Sequence, residues 1–259
     1  MRSVLSALCP SSVPLLFAIL VAGCATPRGV EDGPGRSLTA VLDEENERAR
    51  PLSVEPGSAL AALRDRHVLF VGGFLNEAIP GYFTDALRVT RQELGAVASV
   101  LFPSSGSAVS DDADAIKEAV LARFSGTRKP VVLVGHSKGG AGVLLCALRN
   151  PELVLERKID CVISIQGAIR GSPVADAVAF TGSSSFLPFR MRGLESLTTG
   201  EAREVFEREV EGLRERLPPD ELRALSDRIF YVRSCATRVA EIAPELQLTH
   251  EISGVIALD

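Results

Sequence analysis

Apolar residues along the chain fall into short dense runs separated by longer stretches of mixed character. Residues 67–71, 97–102, 131–134, 161–165 and 229–234 are each too short for a helix and rich in Val, Ile, Leu and Phe, so each reads as a strand. Residues 82–94, 112–124, 141–148, 200–217 and 219–225 carry helical patterns, with Asp111 as the expected cap of the second. Strands alternating with helices predict an α/β fold: a mostly parallel central sheet, flanked by helices and joined by right-handed crossovers. In such a sheet the ligand site lies at the carboxyl ends of the strands.

Residues 167–227 interrupt this rhythm. They hold a Ser-rich loop, 181–189, on which Phe186, Leu187 and Phe189 are large apolar groups. Two readings are open for it, a flap over the site or packing against the sheet edge. No internal repeat is visible.

The first 23 residues have a different character. Arg2 is the only charge before a long uncharged run with an apolar centre, and small residues follow at Val21-Ala22-Gly23-Cys24. That order is expected of a secretory signal. It also resembles the lipobox of bacterial lipoproteins, which implies cleavage before Cys24, a lipid such as palmitate on its sulfur, and a place in the cell envelope. Ala25 after the cysteine implies the outer membrane if the source is Gram-negative. Pro, Gly and a charged run then make residues 24–58 a tether, and the folded domain is expected over 59–259.

Composition narrows the function. The chain has 259 residues, 46% hydrophobic and 24% charged, enough for one sizeable α/β core. Its net charge is −5 and no basic patch stands out, so nucleic acid is not an expected partner. Cys146, Cys161 and Cys235 lie in apolar surroundings and read as buried free thiols. No cluster has metal-ligand spacing, and neither a metal nor an organic cofactor is expected.

Chemistry concentrates at one place. Val131-Val132-Leu133-Val134 runs directly into Gly135-His136-Ser137-Lys138-Gly139, and an apolar helical stretch follows. A buried strand, a G-x-S-x-G turn and a helix are the parts of a nucleophile elbow. Glycines at 135 and 139 leave room for the sharp turn, and the helix N-terminus aims N–H groups at the space above Ser137.

Further segments extend this likeness. Gly72-Gly73-Phe74-Leu75 after the first strand resembles the His-Gly-Phe-Leu segment of bacterial lipases and esterases of the α/β-hydrolase fold, with Gly72 in place of the histidine. Tyr82-Phe83, Gly167-Ala168-Ile169-Arg170-Gly171-Ser172-Pro173 and Ser196-Leu197-Thr198-Thr199 are similar to later segments of that family. The resemblance covers residues 67–235. It implies that Ser137 is the nucleophile, that the backbone N–H groups of Phe74 and Lys138 form the oxyanion hole, and that the substrate is a lipid-like carboxylic ester. The Lys138 side chain as a base is a lesser alternative.

The acid and base are less legible. In this family the order is Ser, then Asp or Glu, then His. His67 opens a strand at the wrong end of the sheet, and His136 lies inside the elbow. His250 is then the expected base, with Glu241, Glu245 or Asp176 as acid. Ile252-Ser253-Gly254 is only a faint echo of the family's Asp-Gly loop. Two readings stay open: His250 serves in a shortened C-terminal part, or the acid–base pair is missing. The second would make the chain a non-catalytic envelope lipoprotein that binds a ligand or partner.

Overall fold

The computed structural model describes residues 59–79, 81–172, 175–176 and 192–232. Among the described residues five strands form one sheet: β1 His67–Val71, β2 Val97–Leu101, β3 Val131–His136, β4 Ile159–Ile165 and β5 Ile229–Val232. Their order is β2-β1-β3-β4-β5, and every neighbouring pair is parallel. From β1 the chain steps to one side to make β2, then returns to the other side of β1 to make β3. In an open parallel sheet such a reversal marks the place for a ligand, here the carboxyl ends of β1 and β3, where Val71 lies opposite Gly135.

The helices are α1 Ala59–Ala62, α2 Thr84–Arg88, α3 Val109–Thr127, α4 Lys138–Arg149, α5 Pro151–Leu155, α6 Arg192–Glu195, α7 Thr199–Arg216 and α8 Pro219–Ser226. Side chains alternate across a strand, so β1, buried along its whole length, feeds two cores. Leu69 and Val71 join Leu133, Ile116, Val120, Val143, Leu145 and Phe206 on the face covered by α3, α4 and α7. Val68 and Phe70 join Val132, Val134 and Ala98 on the other face, against Phe83 and Leu87.

Two local expectations shift. Helix α3 begins at Val109, so Asp111 is its third residue rather than its cap; the Asp111 carboxylate reaches back to accept the Ala108 N–H at 3.2 Å. Residues 82–94 are not one helix. Phe83 takes a left-handed φ of 65°, α2 follows, and a single π-type turn, Val89–Glu93, ends the segment.

Cys146 and Cys161 are free thiols. Burial pushes the Cys146 thiol up to about 12, which keeps it in the unreactive form. Cys235 lies outside the described residues.

His67 opens β1 at the amino end of the sheet, as expected. Arg123 Nε donates to Ser99 Oγ at 2.8 Å, which leaves the Ser99 hydroxyl to donate to His67 Nε2, also at 2.8 Å. The ring is then neutral with its proton on Nδ1, a buried atom with no partner among the described residues. Burial, with the cations of Arg123, Arg91 and Lys129, holds the His67 pKa below its ordinary 6.5. The unfolded chain therefore binds this proton more readily than the folded one. The stabilisation is complete above pH 6.5 and is lost as pH falls below it. His67→Gln, which keeps an acceptor for Ser99, should lose less of its melting temperature than the wild type between pH 8 and pH 5.5. Parallel losses in the two proteins would exclude His67 as the acid-sensitive group.

Candidate active site

Ser137 joins β3 to α4 with φ 56° and ψ −122°, a conformation that costs a residue with a Cβ about 1–3 kcal/mol. The surrounding backbone holds it there. Its N–H donates to Ile165 O at 2.9 Å, and its carbonyl accepts the Ala141 N–H at 3.1 Å. The turn needs two backbones to pass at contact distance. A Cβ on Gly135 would sit 2.3 Å from Gly139 O, and one on Gly139 would sit 2.4 Å from Val71 O and 2.5 Å from Gly72 O. The two elbow glycines are therefore required by close approach, and the second also seats the elbow against the end of β1.

The loop after β1 passes beside Ser137. A Cβ on Gly73 would lie 3.0 Å from Ser137 Cβ and 3.0 Å from His136 O. Phe74 follows and is buried. Its N–H finds no hydrogen-bond acceptor among the described residues, and neither does that of Lys138, the first residue of α4. Such an orphan is expected at a helix N-terminus. Two unpaired N–H groups thus come from the segments beside the serine, one from the loop after β1 and one from the start of α4.

The Lys138 side chain turns away from this space. It is buried to 1% exposure. Its ammonium contacts Asp112 Oδ2 at 2.8 Å, Ser104 O at 2.9 Å and Ser107 Oγ at 3.3 Å. These contacts, two hydrogen bonds and an ion contact, commit the ammonium to the 104–107 loop and Asp112, and none of them is to Ser137. Burial raises the Asp112 carboxyl, and Lys138 and Ser107 pull against that rise. The pairing was missed in the sequence, although there was a signal. A lysine opening an apolar helix meets the unfavourable end of the helix dipole and needs a carboxylate.

His136 also has both ring nitrogens engaged. Tyr82 Oη lies 2.6 Å from Nδ1, and Gln166 Oε1 lies 3.1 Å from Nε2. The glutamine oxygen can only accept, so Nε2 carries the proton and the Tyr82 hydroxyl donates to Nδ1. Tyr82 Oη in turn accepts the Gly73 N–H at 3.2 Å. The chain of contacts from Gln166 through His136 and Tyr82 to Gly73 therefore ties the elbow to the loop after β1.

Asp176 is used elsewhere. Its carboxylate accepts the Thr199 N–H and hydroxyl, each at 2.8 Å, at the start of α7. His250, Glu241, Glu245, Cys24 and the loop 181–189 lie outside the described residues. Among the described residues no three His, Cys, Asp or Glu side chains gather into a group that could hold a metal ion.

No family model matches the chain, and no curated protein matches it. Solved structures do. A metagenomic carboxyl esterase is similar over 95% of this chain and 74% of its own, at 19% identity and a TM-score of 0.55. A Bacillus licheniformis lipase in its propeptide form matches over 63% of this chain and 34% of its own, at 17% identity and a TM-score of 0.50. Its mature form matches over 63% and 62%, at 18% identity and a TM-score of 0.47. The chain thus spans less than two thirds of that lipase in either form. At these identities the likeness speaks to fold, and with the parallel sheet and strand order above it gives this chain the α/β-hydrolase fold.

Proposed function

We propose that this protein is a serine hydrolase of carboxylic esters, with lipid-like esters as its substrates. The observation that carries the reading is the strained Ser137 at the end of β3 with the unpaired N–H groups of Phe74 and Lys138 on either side. A serine held at such cost suits a reacting group better than a structural one.

The reaction follows from the parts. Ser137 Oγ attacks the ester carbonyl and a C–O bond forms, while the proton leaves for the His250 imidazole. The carbonyl oxygen becomes an oxyanion and takes hydrogen bonds from the two N–H groups, which need no reorganisation to meet it. Collapse breaks the bond to the alkoxy group, which departs with the proton as an alcohol. Water then repeats the sequence on the acyl-enzyme and releases the acid. On the flap reading of residues 181–189, the apolar Phe186, Leu187 and Phe189 would favour a fatty acyl or alkyl group over a charged one. A fluorophosphonate probe tests the reading: the wild type should be labelled at Ser137. Folded protein that stays unlabelled and hydrolyses no ester would leave a non-catalytic envelope lipoprotein as the better account.

Anchoring to the membrane through Cys24 belongs to the same proposal, supported by the Val21-Ala22-Gly23-Cys24 junction. Protein extracted from membranes should have the intact mass of a chain without residues 1–23, plus a diacylglyceryl or triacyl addition. Cys24→Ser should abolish that addition. Mature protein in the soluble fraction with an unmodified Cys24 thiol would sink the anchor.

A further inference from the structure

The two N–H groups assigned to the oxyanion hole come from different elements, and one loop is bonded to both of those elements. That loop is residues 103–107, between β2 and α3. On the β1 side, Ser105 Oγ accepts the Leu75 N–H at 2.7 Å, one residue beyond Phe74. The Asn76 amide donates to Pro103 O at 2.7 Å and to Gly73 O at 2.9 Å. Glu77 accepts the Ser105 N–H at 2.8 Å and the Ser105 hydroxyl at 2.5 Å. On the elbow side the Lys138 ammonium holds Ser104 O, Ser107 Oγ and Asp112. Ser107 Oγ also lies 2.5 Å from Asp112 Oδ1.

We infer that residues 103–107 are a brace that sets the spacing of the Phe74 and Lys138 N–H groups, with Ser105 and the buried Lys138–Asp112 pair as its positioning residues. The inference rests on the ester-hydrolase reading above. Three arguments support it. First, a buried ion pair is a poor source of stability, because apolar residues of like volume do as well without the desolvation cost. An ammonium at the first residue of a helix is poorer still, since it faces the positive end of the dipole. Positioning accounts for a pair that stability does not. Second, the network is dense: the Lys138 ammonium makes two hydrogen bonds and an ion contact, and Ser105 is bonded through both its backbone N–H and its hydroxyl. Such networks admit one arrangement. Third, the loop is closed from behind. A Cβ on Gly193 of α6 would fall 1.9 Å from Ser105 O, the Gly193 N–H donates to Gly106 O at 3.2 Å, and Ser196 Oγ accepts the Val109 N–H. The loop therefore has no room to retreat from the site.

Two variants release the two ends. Ser105→Ala frees Leu75. The double variant Lys138→Met with Asp112→Asn frees the elbow and removes both charges, so that no unpaired ion stays buried. Each is compared with the wild type for kcat and KM on a p-nitrophenyl ester, for inhibition by an alkylboronic acid that forms a tetrahedral adduct on serine, and for melting temperature. The expected result is a fall in kcat of about tenfold to a hundredfold with KM within about twofold, since the donors serve the transition state more than bound substrate. The boronate Ki should rise by the same factor as kcat falls. A loss of stability alone would lower the melting temperature and leave kcat and Ki unchanged at a temperature where the variant is folded; that result overturns the brace. So does wild-type behaviour in all measurements. Ser105→Ala removes a single hydroxyl and keeps the test open if the double variant does not fold. An active wild type with unaffected variants sinks the brace and leaves the hydrolase standing, whereas a folded wild type inert to ester and fluorophosphonate sinks both.

Discussion

Ser137→Ala should leave the fold intact and reduce ester turnover by about six orders of magnitude, the scale on which a hydrolase depends on its nucleophile. The substitution keeps the Cβ, so the backbone at φ 56° is neither relieved nor further strained. Ser137 Oγ has no hydrogen-bond partner among the described residues, so its removal orphans nothing. Stability should therefore move by less than about 0.5 kcal/mol. Ser137→Gly makes the companion experiment. It too is inactive, but glycine adopts this conformation freely and regains part of the roughly 1–3 kcal/mol of strain, against its greater freedom in the unfolded chain. The glycine variant should melt at or above the wild type. Loss of activity with gain of stability is the signature of a residue held in place for chemistry. An alanine variant that keeps turnover within about tenfold of the wild type would remove Ser137 from the mechanism.

Much of the sheet was legible because its signals are local. β1 and β3 are buried on both faces, so their apolar runs carry no polar interruption, and the glycines of the elbow lie within four residues of one another. The elbow is a short-range motif whose context, strand before and helix after, can be read from the same ten residues. The polar network behind it is a different case. Asp112 and Lys138 meet only because α3 packs along α4, and Tyr82 meets His136 only because β1 pairs with β3. Neither pairing leaves a periodic trace. Helix α3 shows the same limit at short range. Its start at Val109 depends on Ser107 donating forward to Asp112 and on Asp111 turning back to accept the Ala108 N–H, and an Asp at the third helical position looks like a cap when read alone. Lys138 is the sharpest example. In the sequence its backbone reads as part of the oxyanion hole and its side chain as an alternative base, while its contacts show a side chain turned toward residues 104–112.

His250, the expected base, lies outside the described residues, and kinetics decides its role. The two described histidines are otherwise engaged: His67 sits at the amino end of β1, and both ring nitrogens of His136 are bonded. His250→Ala should therefore lose nearly as much ester turnover as Ser137→Ala. The double variant should lose little more than either, because nucleophile and base act as one unit and removing the second has nothing left to remove. Additive losses would mean that the two residues contribute separately. The pH profile gives an independent check. A histidine base must be neutral to accept the serine proton, so kcat/KM should fall on the acid side in the wild type, and His250→Ala should lack that limb in its residual rate. If His250→Ala keeps near-normal turnover while Ser137→Ala is dead, another group takes the proton. His136 would then be the first to test. Breaking its contact with Tyr82 by Tyr82→Phe would leave Nδ1 without its donor and expose any role the ring has beyond bracing the loop after β1.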